Sequence, residues 1–173
     1  MTAGEHQSSF IYPFIMIAVA TSMRRSEILS IRIENIDLQR RIIYIPKAKA
    51  GAREQPITKK LAAYLAEYLG MADPKQEWLF PSTLSKCGHI KWPEKAFRDV
   101  VKAAGFDPKQ VTPHTLRHTA ITHLVQAGVD LPTVQRISGH KTLQMVARYS
   151  HQNGEHIQAA MDILEQRYQA AAG

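Results

Sequence analysis

His114 and Arg117 are the first residues whose types and spacing indicate chemistry. They stand three positions apart in a helix predicted to begin at Thr112, so their side chains lie about 60° apart around its axis. A histidine and an arginine near a helix N-terminus can hold an anion, because the helix dipole adds to their charge. A capping histidine beside a surface arginine is the other interpretation, and this pair alone favours it.

Residues elsewhere in the chain extend this pair into an ordered set. Arg24 stands at a predicted helix start, and Glu27, three residues later, can orient its guanidinium. Lys49 lies at the tip of a predicted hairpin, and Tyr149 follows His140 by nine residues. Their order favours one functional constellation over a scatter of polar residues. In chain order the candidates are Arg24, Lys49, His114, Arg117, His140 and Tyr149.

Helical periodicity dominates the elements that must position this set. A β-branched and aromatic run at Ile42–Ile45 and a returning segment at Gln55–Ile57 predict an antiparallel hairpin with a positively charged turn. We therefore predict a mostly α fold with a small antiparallel β-sheet, of the α+β class. The predicted helices run from Ser8 or Ser9 to about Ala20, from near Arg24, from Leu61 to Leu69, from Trp92 to Ala104, from Thr112 to Ala127, from Asp130 to Ser138, from Thr142 to about Ser150 and from about Gly154 to Ala170.

Composition places the chain among globular proteins. Its 173 residues argue for one domain with its own core, and 45% apolar with 21% charged residues excludes a wholly disordered chain. One cysteine, Cys87, excludes an internal disulfide framework and fits a reducing compartment. The longest apolar run, Phe10 to Ala20, has eleven residues including Pro13, whereas a membrane-spanning helix needs about twenty. We predict a buried core helix there and no membrane or export segment.

Charge gives the first indication of a partner. Twenty-two Lys and Arg against fifteen Asp and Glu give a net charge of +7. Residues 40–60 hold seven basic side chains and one acid, Glu54, so this segment alone carries +6. Such a cluster favours a polyanion, although a solvated basic face has the same composition. The basic residues of this segment are Arg40, Arg41, Lys47, Lys49, Arg53, Lys59 and Lys60.

The chain resembles the catalytic domain of the tyrosine recombinases, the phage-integrase type of site-specific DNA strand-exchange enzymes. The resemblance covers roughly residues 8–155. The chain departs from the family pattern at two positions. Ser22 stands where glycine is usual, and Ser138 stands where a leucine often precedes the Gly-His pair. The residues that carry the resemblance are Thr21 to Leu29, Lys49, Pro113 to His118, Ser138 to His140 and Arg148 to His151.

The resemblance implies a DNA-cleaving and rejoining enzyme with Tyr149 as its nucleophile. The phenol oxygen would attack a phosphodiester, leaving a 3′-phosphotyrosyl ester and a free 5′-hydroxyl. That ester stores the bond energy, so no ATP, metal or other cofactor is implied. Arg24 and Arg117 would bind the non-bridging oxygens. The remaining implied roles are a hydrogen bond from His140, general-acid catalysis by Lys49 and orientation of Arg24 by Glu27. His114 would assist as a base and take the tyrosine proton directly or through its neighbours.

The same resemblance implies double-stranded DNA as the partner and the cytoplasm of a bacterium, with a bacterial, phage or prophage gene. Family members usually carry an N-terminal core-binding domain. No segment before Ser8 could encode it, so we expect residues 1–173 to be the C-terminal catalytic domain of a larger integrase. We expect a monomer in solution and a tetramer on DNA, with residues 154–171 packing in their own domain or, as we favour, in a neighbouring protomer. Further DNA contacts are expected at Arg25, Lys47, Arg53 and Lys141.

Other interpretations explain less of the pattern. His114, His118 and His123 could indicate zinc, but the sequence has no His-Glu-x-x-His pattern and we predict no metal site. We expect His118 to be a structural hydrogen-bonding partner. Residues 130–149 have the length of a helix–turn–helix, so a non-catalytic DNA-binding module is an alternative, yet it leaves the ordered set unexplained. A type IB-like topoisomerase with the same tyrosine chemistry is a second alternative.

Overall fold

The helices form where apolar periodicity predicts them, with ends that shift by a few residues. A computed structural model describes residues 10–48, 51–150 and 154–171. In these ranges the chain is mostly helical with a three-stranded antiparallel sheet, which confirms the predicted fold class. None of the helices described is both long enough and apolar enough to cross a membrane. The elements are α1 (Ile11–Thr21), α2 (Arg25–Leu29), a 3-10 helix (Ile33–Asn35), β1 (Ile36–Asp37), β2 (Ile42–Ile45), β3 (Arg53–Pro56), α3 (Lys59–Gly70), α4 (Glu94–Ala103), α5 (Pro113–Gln126), α6 (Leu131–Ser138), α7 (Leu143–Ala147) and α8 (Gly154–Ala171).

Helix α1 belongs to the larger of two hydrophobic cores. Phe14 and Ile17 are fully buried, which confirms the core helix predicted from the apolar run. Pro13 lies in the first turn, where its missing N–H removes no helical hydrogen bond. The chain that leaves this buried helix at Thr21 therefore enters the site from a fixed position. The same core includes Ile43 of β2, Leu61 and Leu65 of α3 and Phe97 of α4.

The sheet has β2 at its centre, paired with β1 on one side and β3 on the other. Ile43 is buried whereas Tyr44 is 46% exposed, the alternation expected of a strand with one face on a core. Strand β3 begins at Arg53, opposite Ile45, and so starts before the predicted segment at Gln55. The hairpin turn includes Lys49, which lies outside the described residues, as do the predicted capping serines at positions 8 and 9.

A smaller core joins α5, α6 and α7. Ile121, Val134 and Val146 are fully buried in it, and the ring of Tyr149 packs against them. Leu116, earlier on α5, packs instead on the larger core, and α5 also contacts α1. Helix α5 therefore connects the two cores, and it carries the candidate residues between Leu116 and Ile121 past the place where they meet.

Local caps fix the ends of the helices that reach the site. The Thr112 hydroxyl accepts a hydrogen bond from the Thr115 amide at 3.3 Å and starts α5 where the sequence predicts it. The Asp130 carboxylate accepts from the Thr133 amide at 2.9 Å and starts α6. Gly139 ends α6 with a φ of 65°, a left-handed conformation that favours glycine. This turn directs His140 back toward α5.

Candidate active site

Arg24 is held at the start of α2 by a carboxylate one turn later. Its amide donates to Oε2 of Glu27 at 3.0 Å, and its Nη1 donates to Oε1 at 2.9 Å. The Glu27 side chain is only 4% exposed, so both oxygens are held inside the protein. The remaining nitrogen, Nη2, donates to the Gly139 carbonyl at 2.9 Å. The guanidinium therefore ties the start of α2 to the turn that carries His140.

Arg117 is the buried cation of the site. The residue is 3% exposed, its Nη1 donates to the Ser22 carbonyl, and its Nη2 donates to Nε2 of His140 at 3.1 Å. Burial lowers the pKa of Arg117 to about 10, and the nearby Arg24 guanidinium acts in the same direction. Arg117 still carries its charge at neutral pH. A buried arginine that donates to groups from two other segments has its fork fixed before any ligand arrives.

His140 has a defined tautomer because a guanidinium can only donate. Its Nε2 accepts from Arg117, so the ring proton lies on Nδ1, 2.8 Å from the Ser138 hydroxyl oxygen. The Ser138 hydroxyl in turn donates to the Gln135 carbonyl at 3.3 Å. Burial, followed by Arg117 and Arg24, lowers the pKa of His140 to about 4, so the ring is neutral at pH 7. Arg117 thus fixes which nitrogen of His140 carries the proton, and Ser138, a departure from the usual leucine, accepts that proton in a hydrogen bond.

Tyr149 lies just beyond the end of α7 with its ring beside His140. The residue is 8% exposed, and the two ring centroids are 6.3 Å apart. Its hydroxyl oxygen is 2.5 Å from Nδ1 of His118, and the His118 ring meets the His114 ring edge-on at a centroid distance of 4.4 Å. The Arg148 guanidinium lies 5.3 Å from the centre of the tyrosine ring. The phenol therefore points at α5, and His118 separates it from His114.

Arg53 occupies a different place from the one its sequence context indicates. It stands in the basic segment and was predicted to contact DNA, but its side chain is 13% exposed. Nη2 donates to Oε2 of Glu27 at 2.9 Å, and Nη1 donates to Oε1 of Gln55. Burial lowers the pKa of Arg53, partly offset by Glu27. The Arg53 guanidinium therefore binds the Glu27 carboxylate, which also binds Arg24.

The other predicted DNA contacts lie at or near the surface. Lys47 and Lys141 are exposed, and Arg25 is half-buried with its guanidinium stacked on the Trp92 ring at 3.7 Å. The structure places five of the predicted catalytic residues in one site, and Lys49 lies outside the described residues. Sequence reasoning missed the Arg53–Glu27 ion pair and the contact of His118 with Tyr149. The spacing of His118, one helical turn after His114, was the available signal for the second.

The arrangement suits an anion with several oxygens. Arg24 and Arg117 supply positive charge beside the neutral ring of His140 and the phenol of Tyr149. In the described ranges no group of three or more His, Cys, Asp and Glu residues could hold a metal ion. Fixed donors beside a buried phenol favour attack on a phosphate ester whose negative charge increases in the transition state.

This fold and site define the class of tyrosine recombinase catalytic domains. The chain belongs to the phage integrase family, which it matches over residues 2–156. It is 31% identical over 159 residues to the tyrosine recombinase XerD of Caulobacter vibrioides, covering 83% of this chain and 50% of that protein. It is 26% identical over 149 residues to the tyrosine recombinase XerA of Pyrococcus furiosus, covering 86% of this chain and 52% of that protein.

Comparison with solved structures shows the same fold. The Tn1549 transposon integrase in complex with transposon right end DNA superposes with a TM-score of 0.75 at 23% identity, covering 95% of this chain and 65% of that one. The chain spans about half the length of the two relatives XerD and XerA.

Proposed function

We propose that the chain is the catalytic part of a site-specific DNA recombinase that cleaves and rejoins strands through a 3′-phosphotyrosyl intermediate. The observation that carries the proposal is the meeting of Tyr149 with His140 and Arg117, which come from three separate segments. The ring of Tyr149 lies 6.3 Å from that of His140, whose Nε2 lies 3.1 Å from Arg117. This is the order of side chains that the family pattern predicts along the chain.

The residues divide the chemistry of transesterification between them. The Tyr149 oxygen attacks phosphorus and forms a new O–P bond, and the bond from phosphorus to the 5′ oxygen breaks. Arg24 and Arg117 stabilise the added charge on the non-bridging oxygens, where one such donor is typically worth about 100- to 1000-fold in rate. Lys49 gives a proton to the leaving 5′ oxygen. Attack by a 5′-hydroxyl reverses the step, so no cofactor is consumed.

Double-stranded DNA is the proposed partner. The net charge of +7, the exposed Lys47 and Lys141 and the Arg25 guanidinium beside the site support a polyanionic ligand. The Tn1549 integrase was solved in complex with transposon right end DNA. We place the protein in the cytoplasm of a bacterium, with a bacterial, phage or prophage gene.

Helix α8 supports assembly on DNA. Met161, Leu164 and Tyr168 share one stripe and are 55%, 42% and 68% exposed, so the described part of the chain leaves this apolar face largely uncovered. A neighbouring protomer can bury it, and we propose a monomer in solution that forms a tetramer on DNA by exchanging residues 154–171. Residues 1–173 then act as a single catalytic domain.

Covalent capture tests the proposed chemistry. Nicked suicide duplexes with the sequences that flank the gene are incubated in EDTA with the chain and, in parallel, with the product of the complete gene. We expect an adduct stable to denaturant that Tyr149→Phe abolishes while DNA binding remains. Tyr12→Phe, which removes a hydroxyl from a 58% exposed tyrosine on α1, is the matched control and retains the adduct.

Three results would contradict the proposal. An adduct that persists in Tyr149→Phe would move the nucleophile to another residue. Binding without any adduct from either protein would support a non-catalytic DNA-binding module. Relaxation of supercoiled plasmid without a preferred site would support a topoisomerase.

A further inference from the structure

The hydroxyl of Tyr149 has one close nitrogen partner in the described structure. Nδ1 of His118 lies 2.5 Å from it, and the two ring centroids are 5.4 Å apart at an interplanar angle of 36°. The residues are separated by 31 positions and meet because α5 and the segment after α7 share the smaller core. This contact is distinct from the His114 role that the family resemblance implies.

Neither of the other two histidines is placed to receive the phenol proton. Both nitrogens of His140 are engaged, Nε2 with Arg117 and Nδ1 with Ser138. The His114 ring packs on His118, at 4.4 Å between centroids, whereas the hydrogen bond described for the phenol is to His118. His118 alone presents an unprotonated nitrogen to the hydroxyl when it is the Nε2–H tautomer.

We propose that His118 is the catalytic base that takes the Tyr149 proton during strand cleavage, an inference that rests on the proposed recombinase function. The proton moves from the phenol oxygen to Nδ1 of His118 as the oxygen forms its bond to phosphorus. The bond to the 5′ oxygen breaks, and that oxygen is protonated by the general acid. When a 5′-hydroxyl attacks the phosphotyrosyl ester, the departing phenolate recovers the proton from His118.

The surroundings keep His118 in the form that can accept a proton. Burial lowers the pKa of His118, and the neighbouring His114, Arg148 and Arg117 act in the same direction, so the ring is neutral at pH 7. Among the described residues, Tyr149 and His140 are the other titratable groups beside it. Proton transfer from the phenol to Nδ1 of His118 is therefore possible at neutral pH.

His118→Asn tests proton transfer separately from positioning. The asparagine side chain can still accept a hydrogen bond from the phenol but cannot take its proton. We expect adduct formation with suicide duplexes to fall about 100- to 10,000-fold near pH 7. The residual rate should rise about tenfold per pH unit above neutrality, because solvent hydroxide must then remove the proton. DNA binding and melting temperature should stay close to those of the unaltered protein.

His123→Asn is the matched control, an exposed histidine near the end of the same helix. It should keep the pH profile of the unaltered protein, which is flat above the pKa of His118. His114→Asn is measured beside it, because the family resemblance gives His114 a proton-acceptor role. Added imidazole should restore part of the rate to His118→Ala and none to the control, since imidazole can fill the cavity left by the missing base. His118→Ala also keeps the test decisive if the asparagine variant folds poorly.

Three outcomes would overturn the assignment. A His118→Asn protein that cleaves at the unaltered rate would show that His118 only positions the phenol. A steep pH profile or imidazole rescue confined to the His114 variants would make His114 the base. Equal rescue of both positions would assign the proton to the pair. Failure of the recombinase proposal itself is distinct, because the unaltered protein would then form no Tyr149-linked adduct.

Discussion

The guanidinium of Arg53 packs against Gly139 so closely that a Cβ at position 139 would lie 2.6 Å from Nε. The first residue of β3 thus contacts the turn that carries His140. Through Glu27, Arg53 also reaches Arg24, which itself donates to the Gly139 carbonyl. The hairpin, the start of α2 and the end of α6 therefore meet at one glycine, and the positions of Arg24 and His140 depend on this contact.

Gly139→Ala should be destabilising for two reasons. The φ of 65° costs an alanine about 1 kcal/mol or more, and the new methyl group displaces Arg53. We expect a loss of about 2–3 kcal/mol in the free energy of unfolding, measured by urea titration, together with a loss of adduct formation. Gly128→Ala is the control, since its φ is 78° but its Cβ would meet nothing within 4 Å. It should lose about 1 kcal/mol, and equal losses in both variants would argue against the packing effect.

Arg53→Gln should leave the Glu27 carboxylate with one cation instead of two. Removing one partner of a buried ion pair typically costs about 3–5 kcal/mol, and because Arg24 remains we expect about 2–3 kcal/mol. Adduct formation should fall as well, since Glu27 also orients Arg24. Arg32→Gln breaks the exposed pair with Glu77 and should cost less than about 1 kcal/mol without affecting cleavage. If Arg53→Gln loses no more free energy of unfolding than Arg32→Gln, the ion pair of Arg53 with Glu27 does not stabilise the protein.

The sequence predicts local features of this molecule well and distant contacts poorly. Helices and their caps at Thr112 and Gly139 are local patterns of periodicity and residue type. Strand β1 has two residues and no periodic signal, so only pairing with β2 defines it.

The two contacts that the sequence analysis missed also join residues that are far apart in the chain. Arg53 stands among basic residues that indicate a surface, and its pairing with Glu27, 26 residues away, depends on how β3 packs on α2. The spacing of His114 and His118 places both side chains on one face of α5, but the pairing of His118 with Tyr149 depends on how α5 and α7 pack. Burial of a charged or polar side chain is set by the assembled fold, so the sequence indicates neither the Glu27 partner of Arg53 nor the Tyr149 partner of His118.

Ser22→Gly should stabilise the protein by about 1 kcal/mol. Ser22 ends α1 with a φ of 54°, which glycine adopts without strain. Its buried hydroxyl also has no hydrogen-bond partner in the part of the chain that the structure describes. Ser22→Ala removes the hydroxyl and keeps the strained backbone, so its free energy of unfolding should lie below that of the glycine variant. Equal stability of the two variants would mean that the backbone strain contributes nothing.

Stability should decrease as the pH falls from 6.5 toward 4. His140 has a pKa of about 4 in the folded protein and about 6.5 when unfolded. Between these two pH values His140 binds a proton in the unfolded state but not in the folded state. Protonation therefore lowers the free energy of unfolding, by at most about 3 kcal/mol. His114 and His118, whose pKa values are also lowered by burial, act in the same direction. Urea unfolding at pH 7.5, 6 and 5 measures how the free energy of unfolding changes with pH. This change should be smaller for His140→Gln than for the unaltered protein. An equal change in both would contradict a neutral, buried His140 ring.

Exposed lysines at the proposed DNA surface should control the salt dependence of binding. Each lysine that neutralises a phosphate releases a counterion, so Lys47→Gln and Lys141→Gln should each reduce the slope of log affinity against log salt by about 1. Both side chains are exposed, so their removal should leave the melting temperature unchanged. Lys102→Gln removes an exposed charge from the last turn of α4, outside the predicted contacts, and should leave the slope as it is. Equal slope changes at all three lysines would indicate a general effect of net charge, whereas a change confined to Lys47 and Lys141 would locate the phosphate path beside the hairpin and the turn after Gly139.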